Sequence, residues 1–212
     1  NRQNSGRREA SRKRLVMNIG VLALQGGYDL HCKHLSKLGA NPLLIKNEEG
    51  FDQLEGLIVP GGESTALLRL CSKNLKEKIV SSTNRGLPIF TTCAGTILIS
   101  NKVSNPEQDS LGILDIEIER NGYGRQINSF ITKNVSLHSN CLNVQDLEAV
   151  FIRAPRIKKI AKDIKVLASF RNDPILVQYK NIIAATFHPE LSLDSSAVHA
   201  YFVQSVLKNR PH

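Results

Sequence analysis

Three residues could carry chemistry in this chain: a cysteine, a histidine and a glutamate. Cys93 stands between a short apolar run, Leu87-Pro88-Ile89-Phe90, and the small residues Ala94-Gly95, which open into Thr96-Ile97-Leu98-Ile99. That order reads as strand, sharp turn and helix, with a thiol at the apex. His188-Pro189-Glu190 follows the strand-like run Ile182 to Phe187. A thiol, an imidazole and a carboxylate at the ends of predicted strands are the parts of a nucleophile with its base and orienting acid. A free thiol has a pKa of about 8.5, so a positively polarised surrounding is needed to raise the thiolate fraction. The turn after Cys93 sets it at a helix N-terminus, where unpaired N–H groups favour an anion. His188 can take the proton. Glu190, two residues on in an extended segment, would lie on the same side as His188 and hold its tautomer. Read singly, a packed core thiol or core histidine explains each residue. The turn around Cys93 and the His-x-Glu downstream outweigh that blander reading. An acyl intermediate also needs an oxyanion hole, for which the Ala94 N–H and a donor from the Gly61-Gly62 loop are placed.

These residues need a scaffold that brings them to one edge. Asn18 to Leu24 is a continuous apolar run ending in Gln25-Gly26-Gly27, which predicts a buried parallel strand entering a helix over Tyr28 to Leu38. Gly39 closes that helix. Further strands are expected at Pro42–Ile45, Gly56–Val59 and Leu87–Thr92, with helices over Ser64–Leu70 and Leu75–Asn84. The alternation implies a doubly wound, mostly parallel α/β sheet flanked by helices, of flavodoxin-like type. After residue 112 the pattern turns to apolar–polar alternation at Ile113–Glu119 and in parts of 127–137 and 147–152, an added antiparallel or mixed region. Val166–Ser169, Ile175–Tyr179 and Ile182–Thr186 continue the strands, and a last helix buries Val198, Tyr201, Phe202 and Val206 on one face. Gln25, Gly61-Gly62-Glu63, Cys93 and His188 all fall at predicted strand C-termini, the edge where open α/β sheets bind ligands.

Bulk properties narrow the alternatives. At 212 residues, 41% hydrophobic and 22% charged, the chain suits one ordinary globular domain. No apolar run approaches the roughly 18 residues a membrane helix requires. The net charge of +9 is uneven, with six basic side chains against one acid in residues 1–14. We read residues 1–16 as a disordered basic extension or cloning remnant, with Met17 as a natural start, and residues 17–212 as the domain. No apolar core follows the basic stretch, which argues against a secretory signal; an organelle transit segment stays open. A nucleic-acid role would rest on that tail alone. Cys32, Cys71, Cys93 and Cys141 are widely spaced with no C-x-x-C pair, so neither a zinc site nor a disulfide framework is expected, and a cytoplasmic setting is.

The motifs Pro60-Gly61-Gly62-Glu63-Ser64-Thr65, Thr92-Cys93-Ala94-Gly95 and Phe187-His188-Pro189-Glu190-Leu191 resemble those of class I, triad-type glutamine amidotransferases. Leu24-Gln25-Gly26, Glu119-Arg120-Asn121, Gly124-Arg125-Gln126, Asn128-Ser129-Phe130 and Phe151-Ile152-Arg153-Ala154-Pro155 narrow the resemblance to the glutaminase-subunit family of pyridoxal 5′-phosphate synthase, over about Met17 to Leu207. The resemblance implies hydrolysis of L-glutamine to L-glutamate and ammonia. Cys93 would be the nucleophile, His188 the base and Glu190 the orienting acid, with Gly62 and Ala94 as oxyanion donors. Gly61, Gly62, Glu63, Arg120, Ile152 and Arg153 would line the glutamine pocket, an arginine suiting the α-carboxylate and a glutamate the α-ammonium. No metal or organic cofactor is implied. The implied partner is a separate synthase subunit in a hetero-oligomer, with no nucleic acid and no membrane. Two positions depart from the family pattern: Thr91 where glycine is usual, which would crowd the site or shift the strand, and Leu30 where glutamate usually precedes His31, in a region expected to face the synthase. Rival readings are the glutaminase of another biosynthetic amidotransferase, such as imidazole glycerol phosphate synthase, and a non-catalytic α/β binding module.

Overall fold

Apolar runs without alternation must be buried on both faces, and the central sheet does this. The computed structural model describes residues 16–124, 129–192 and 196–210. The basic segment 1–15 and residues 125–128, which carry part of the motif resemblance, lie outside the described residues. The chain runs β1 (Asn18–Leu22), α1 (Tyr28–Lys37), β2 (Asn41–Ile45), β3 (Gly56–Val59), α2 (Ser64–Leu70), α3 (Lys73–Asn84), β4 (Ile89–Thr92) and α4 (Ala94–Ile99). It continues through β5 (Ser100–Ser104), β6 (Leu114–Glu119), β7 (Ser129–Thr132), β8 (Ser136–Leu137), β9 (Ala149–Ile152) and β10 (Arg156–Ile160). The last elements are β11 (Lys165–Phe170), β12 (Asp173–Tyr179), β13 (Ile182–Ala185) and α5 (Ser196–Lys208).

The main sheet has the order β2-β1-β3-β4-β13-β12-β11-β8. Its first five strands are parallel, and β12, β11 and β8 extend it antiparallel. The parallel part follows the 2-1-3-4-5 order of flavodoxin-like folds, with β13 fifth. Side chains of Ile19, Val21, Ile58 and Phe90 join one core with Leu35 of α1 and Val198, Phe202 and Val206 of α5. Leu57, Val59 and Ile89 point to the other face, onto Leu67 of α2, Leu75 and Ile79 of α3 and Ile97 of α4. Tyr201, expected with the buried stripe of the last helix, is half-buried, and its hydroxyl donates to Gln178 Oε1 at 2.6 Å.

The added region makes two small sheets, β10-β6-β5 and β7-β9. β5 and β10 were not expected from the sequence. β5 begins where α4 ends, with no turn residues between, and β10 reads Arg-Ile-Lys-Lys-Ile, whose two lysines pair with Glu119 and Glu117 of β6 and whose arginine pairs with Asp173 of β12. Strand ends also differ by a few residues, since β1 stops at Leu22 and β4 starts at Ile89.

Thr91 does not crowd the site. Its hydroxyl is buried and shares a hydrogen bond of 2.9 Å with Thr96, which donates to the Ala185 carbonyl at 2.7 Å. The threonine thus ties β4 to the first turn of α4 and to β13. Leu30 is half-buried on α1.

Phe202 anchors α5 on the sheet, its ring 5.6 Å from that of Phe90. Phe202→Ala is expected to cost about 3–5 kcal/mol of stability, read as a lower urea midpoint with an unchanged slope.

Candidate active site

Register decides the site. Thr92 pairs with Ala185 across β4 and β13, and Val59 pairs with Thr91 across β3 and β4. Three strands therefore end level, and the segments Pro60-Gly61-Gly62, Cys93 and His188 leave the sheet at one edge. They enclose a cleft of about 370 Å³. Cys93, His188 and Glu190 line it, as do Gly61, Gly62, Glu63, Arg120, Ile152 and Arg153. Every expected site side chain or glycine is there; Ala94 is buried beneath, as the first residue of α4.

Cys93 sits at the turn with φ 45° and ψ −107°. Its N–H is held by the Ala185 carbonyl at 2.9 Å, and its carbonyl accepts from Thr96 and Ile97 at 3.0 and 3.1 Å. That leaves the first N–H groups of α4, Ala94 included, without intrahelical acceptors. Asn121 and Arg153, at φ 51° and 42°, line the same cleft. Non-glycine residues in the left-handed region cost energy and gather at functional sites.

His188 Nδ1 lies 2.7 Å from Glu190 Oε1. The expectation of an extended His-x-Glu segment is corrected here. Pro189–Leu191 form a 3₁₀ turn, with proline at its start where its fixed φ suits a helical turn, and the turn folds the carboxylate back onto the ring. The imidazole and the Cys93 side chain flank Gly61 and line the same cleft. Burial by itself lowers the pKa of His188, but its interactions with Cys93 and Glu190 outweigh that and raise it to about 10. A protonated ring beside a sulfur is the arrangement that favours a thiolate.

The approach of ring and sulfur requires Gly61. A Cβ there would fall 2.6 Å from His188 Cε1 and 3.0 Å from Cys93 Cβ. The loop is pinned by the Gly61 N–H donating to Thr92 Oγ1 at 2.9 Å and the Glu63 N–H donating to Gln25 Oε1 at 3.0 Å. Gly62, between them, has φ 142°, a conformation that side chains resist.

Glu63 has a duty the sequence did not reveal. Its two carboxylate oxygens cap α2, accepting from the Thr65 and Ala66 N–H groups at 2.9 and 2.6 Å. Arg120 Nη2 lies 3.5 Å from Glu63 Oε1 and donates to Thr65 Oγ1 at 3.2 Å. Partial burial works against the charged carboxyl, yet these N–H bonds, the Thr65 hydroxyl and Arg120 hold it below the usual range. The two charges expected to grip opposite ends of an amino acid are thus neighbours of each other.

Sequence reasoning missed the residues behind the carboxylate. His31 and His34 of α1 and His199 of α5 are buried around Glu190. The only signal was the spacing of three between two histidines on one helix, which by itself points nowhere.

Gly61→Ala is expected to retain the fold and to lower kcat/KM for glutamine hydrolysis by about a hundredfold or more, because it displaces the ring from the sulfur. Circular dichroism and steady-state assay check both parts. The raised His188 pKa sets a second expectation. The ring stays protonated up to about pH 10, so a reaction that draws on its proton should fall off only above that pH. By the same linkage, its stabilising contribution is complete below about pH 6.5 and disappears as pH rises through about 10. Titration of the ring by NMR and the alkaline limb of kcat/KM test this; a midpoint near 6.5 would contradict it.

Known proteins of one family resemble this chain along most of its length. The sequence profile of the SNO glutamine amidotransferase family matches residues 21–208. A protein of Thermotoga maritima named pyridoxal 5′-phosphate synthase subunit PdxT is 45% identical over 191 residues, 90% of this chain and all of that one. One of the same name from Francisella philomiragia is 44% identical over 190 residues, 89% of this chain and 99% of that one. A crystal structure described as a glutamine amidotransferase superposes with a TM-score of 0.81 at 34% identity, covering 89% of this chain and 98% of that one. The PurLQS structure from Thermotoga maritima shares the fold, with a TM-score of 0.68 at 18% identity over 91% of this chain and 98% of that one. Matched along nearly its whole described length, this chain belongs to the SNO glutamine amidotransferase family.

Proposed function

We propose that this chain is a glutaminase that releases ammonia from L-glutamine through Cys93, His188 and Glu190, and that residues 17–212 form the single domain that does so. The supporting observation is that one buried ring, His188, is held by the Glu190 carboxylate at 2.7 Å and shares with Cys93 the cleft around Gly61.

The Cys93 thiolate attacks the side-chain amide carbon, and the oxyanion is met by the Gly62 and Ala94 N–H groups. His188 gives its proton to the departing nitrogen as the carbon–nitrogen bond breaks, leaving a γ-glutamyl thioester and ammonia. Water, losing a proton to His188, attacks the thioester; glutamate leaves and the sulfur is restored. Glu190 keeps the ring in the tautomer that faces the sulfur. Glu63, Arg120, Ile152 and Arg153 surround the part of the substrate that does not react. Since Glu63 is committed to its helix and to Arg120, the exposed Arg153 is the better placed of the two arginines for the α-carboxylate.

The relatives' shared name supports the finer assignment over imidazole glycerol phosphate synthase and other amidotransferases. The ammonia is passed to a pyridoxal 5′-phosphate synthase subunit within a hetero-oligomer. Among the described residues no helix is long and apolar enough to cross a membrane. The free thiols suit a reducing compartment, and we assign the chain to the cytoplasm.

Cys93→Ala is expected to lower ammonia release by a factor on the order of 10⁴ or more, while calorimetry still detects glutamine binding. Retained turnover would overturn the mechanism. A glutamine-analogue electrophile should label Cys93; an inert thiol would favour a non-catalytic module. Adding the synthase subunit should raise the rate, and equal rates would count against coupling.

A further inference from the structure

The carboxylate of Glu190 has two oxygens, and only one serves the base. Oε1 lies 2.7 Å from His188 Nδ1, and Oε2 lies 3.4 Å from His31 Nε2. His31 is fully buried, and its Nδ1 lies 2.9 Å from His199 Nε2. His34 stacks on His199 with ring centroids 4.4 Å apart and reaches the Glu190 backbone carbonyl through Nε2 at 3.2 Å. The edge-on ring of Phe90 closes the cluster against both His31 and His199. A row of imidazoles from two different helices therefore ends on the acid of the site.

Two proton arrangements fit this row: Nε2–H toward Glu190 with Nδ1 accepting from His199, or Nδ1–H toward His199 with Nε2 accepting from the Thr92 hydroxyl 3.5 Å away; the carboxylate favours the first. Burial, then the neighbouring His199, His188 and His34, push the His31 pKa well below its usual value, so the ring is neutral and carries one N–H. A carboxylate only accepts. A bare Nε2 lone pair facing Oε2 would be repelled, so the proton belongs on Nε2, and Nδ1 then accepts the N–H from His199 Nε2. The same Nε2 is 3.5 Å from Thr92 Oγ1, the hydroxyl that holds the Gly61 N–H. His31 thus stands where the acid and the oxyanion loop meet.

We propose that His31 is a positioning residue for the base: its Nε2–H faces Glu190 Oε2, a buried oxygen with no hydrogen-bond partner, at 3.4 Å, and this attraction favours the carboxylate rotamer that presents Oε1 to His188, with His199 setting the tautomer that makes it possible. The proposal rests on the reading of Cys93, His188 and Glu190 as the reacting set. In physical terms, a carboxylate tethered at one oxygen swings about its side-chain bonds. One held at both oxygens does not, and the ring it orients inherits that order.

The test uses the full chain with its synthase subunit and two substitutions. His31→Leu keeps bulk but has no donor; His31→Gln puts an amide N–H near the position of Nε2. His31→Leu is expected to lower kcat by about 10–100-fold, the range typical of residues that orient a reacting ligand, with KM for glutamine changed less than about twofold. Its alkaline limb should move to lower pH as His188 loses a well-placed counter-charge. His31→Gln should recover most of kcat and the wild-type limb. A merely structural role predicts instead a loss that follows stability in both variants with no movement of the limb, and that result would overturn the proposal. Interpretation of the limb includes the other titratable groups facing this pair, which are Cys93, His34 and His199 behind the ring and Glu63, Arg120 and Arg153 across the cleft.

A measurement on the unmodified chain decides the matter if His31→Leu does not fold. Ring ¹⁵N shifts report the tautomer directly. A neutral His31 protonated on Nε2 from pH 6 to 8 supports the proposal, and protonation on Nδ1 overturns it. This readout needs no turnover, so it separates from the proposed function: wild-type chain that releases no ammonia sinks that reading, whatever tautomer His31 holds.

Discussion

The imidazole of His188 is the joint on which the site turns. It has two nitrogens; Nδ1 meets Glu190 at 2.7 Å, and the rest of the ring faces Cys93 across Gly61. The sulfur comes from the end of β4 and the ring from just beyond β13, nearly a hundred residues later. They meet because these strands are parallel neighbours whose pairing ends with Thr92 beside Ala185. Shifting this register by one residue would reverse every side chain of the strand and carry Cys93 away from the ring. The two-sided core that fixes the register is therefore also what assembles the chemistry.

Bringing these groups out of water carries a cost that has to be offset locally. His188 is 7% exposed and Glu190 4%, a degree of burial that an unpaired charge would not tolerate. The offset is mutual, since the carboxylate and the ring it holds at 2.7 Å each stabilise the charge on the other. Further offset comes from backbone groups fixed in unusual shapes. Cys93, Asn121 and Arg153 all hold positive φ around one cleft. The Cys93 backbone is held from both sides, by Ala185 on its N–H and by Thr96 and Ile97 on its carbonyl. Such over-determination is what lets strain persist where a reaction needs an exposed atom.

The parallel half of the fold was legible because its signals are local. Continuous runs such as Gly56–Val59, closed by Pro60-Gly61-Gly62, announce a buried strand and its end. The added sheets were less legible. β5 follows α4 without punctuation, and β10 hides its strand character behind basic side chains that its partner strand neutralises. Glu63 was readable as a cleft residue but not as the cap of α2, because a cap depends on backbone geometry at the turn rather than on residue type alone.

The sequence by itself determined which atoms are capable of chemistry and at which strand ends they lie: the thiol at 93, the imidazole at 188, the carboxylate at 190 and the glycines at 61 and 62. Residue type and short-range pattern suffice for this, since reactivity is a property of the side chain and a strand end is marked by its own turn residues. Only the tertiary structure decided how those atoms are aimed. The 3₁₀ turn that swings Glu190 onto His188, the neighbouring of Glu63 and Arg120, and the gathering of His31, His34 and His199 from the first and last helices all join residues through space. The His-x-Glu spacing foretold that Glu190 serves His188 but not the turn that brings it there; no spacing foretells the histidine cluster, which exists because α1 and α5 pack on the same face of one sheet.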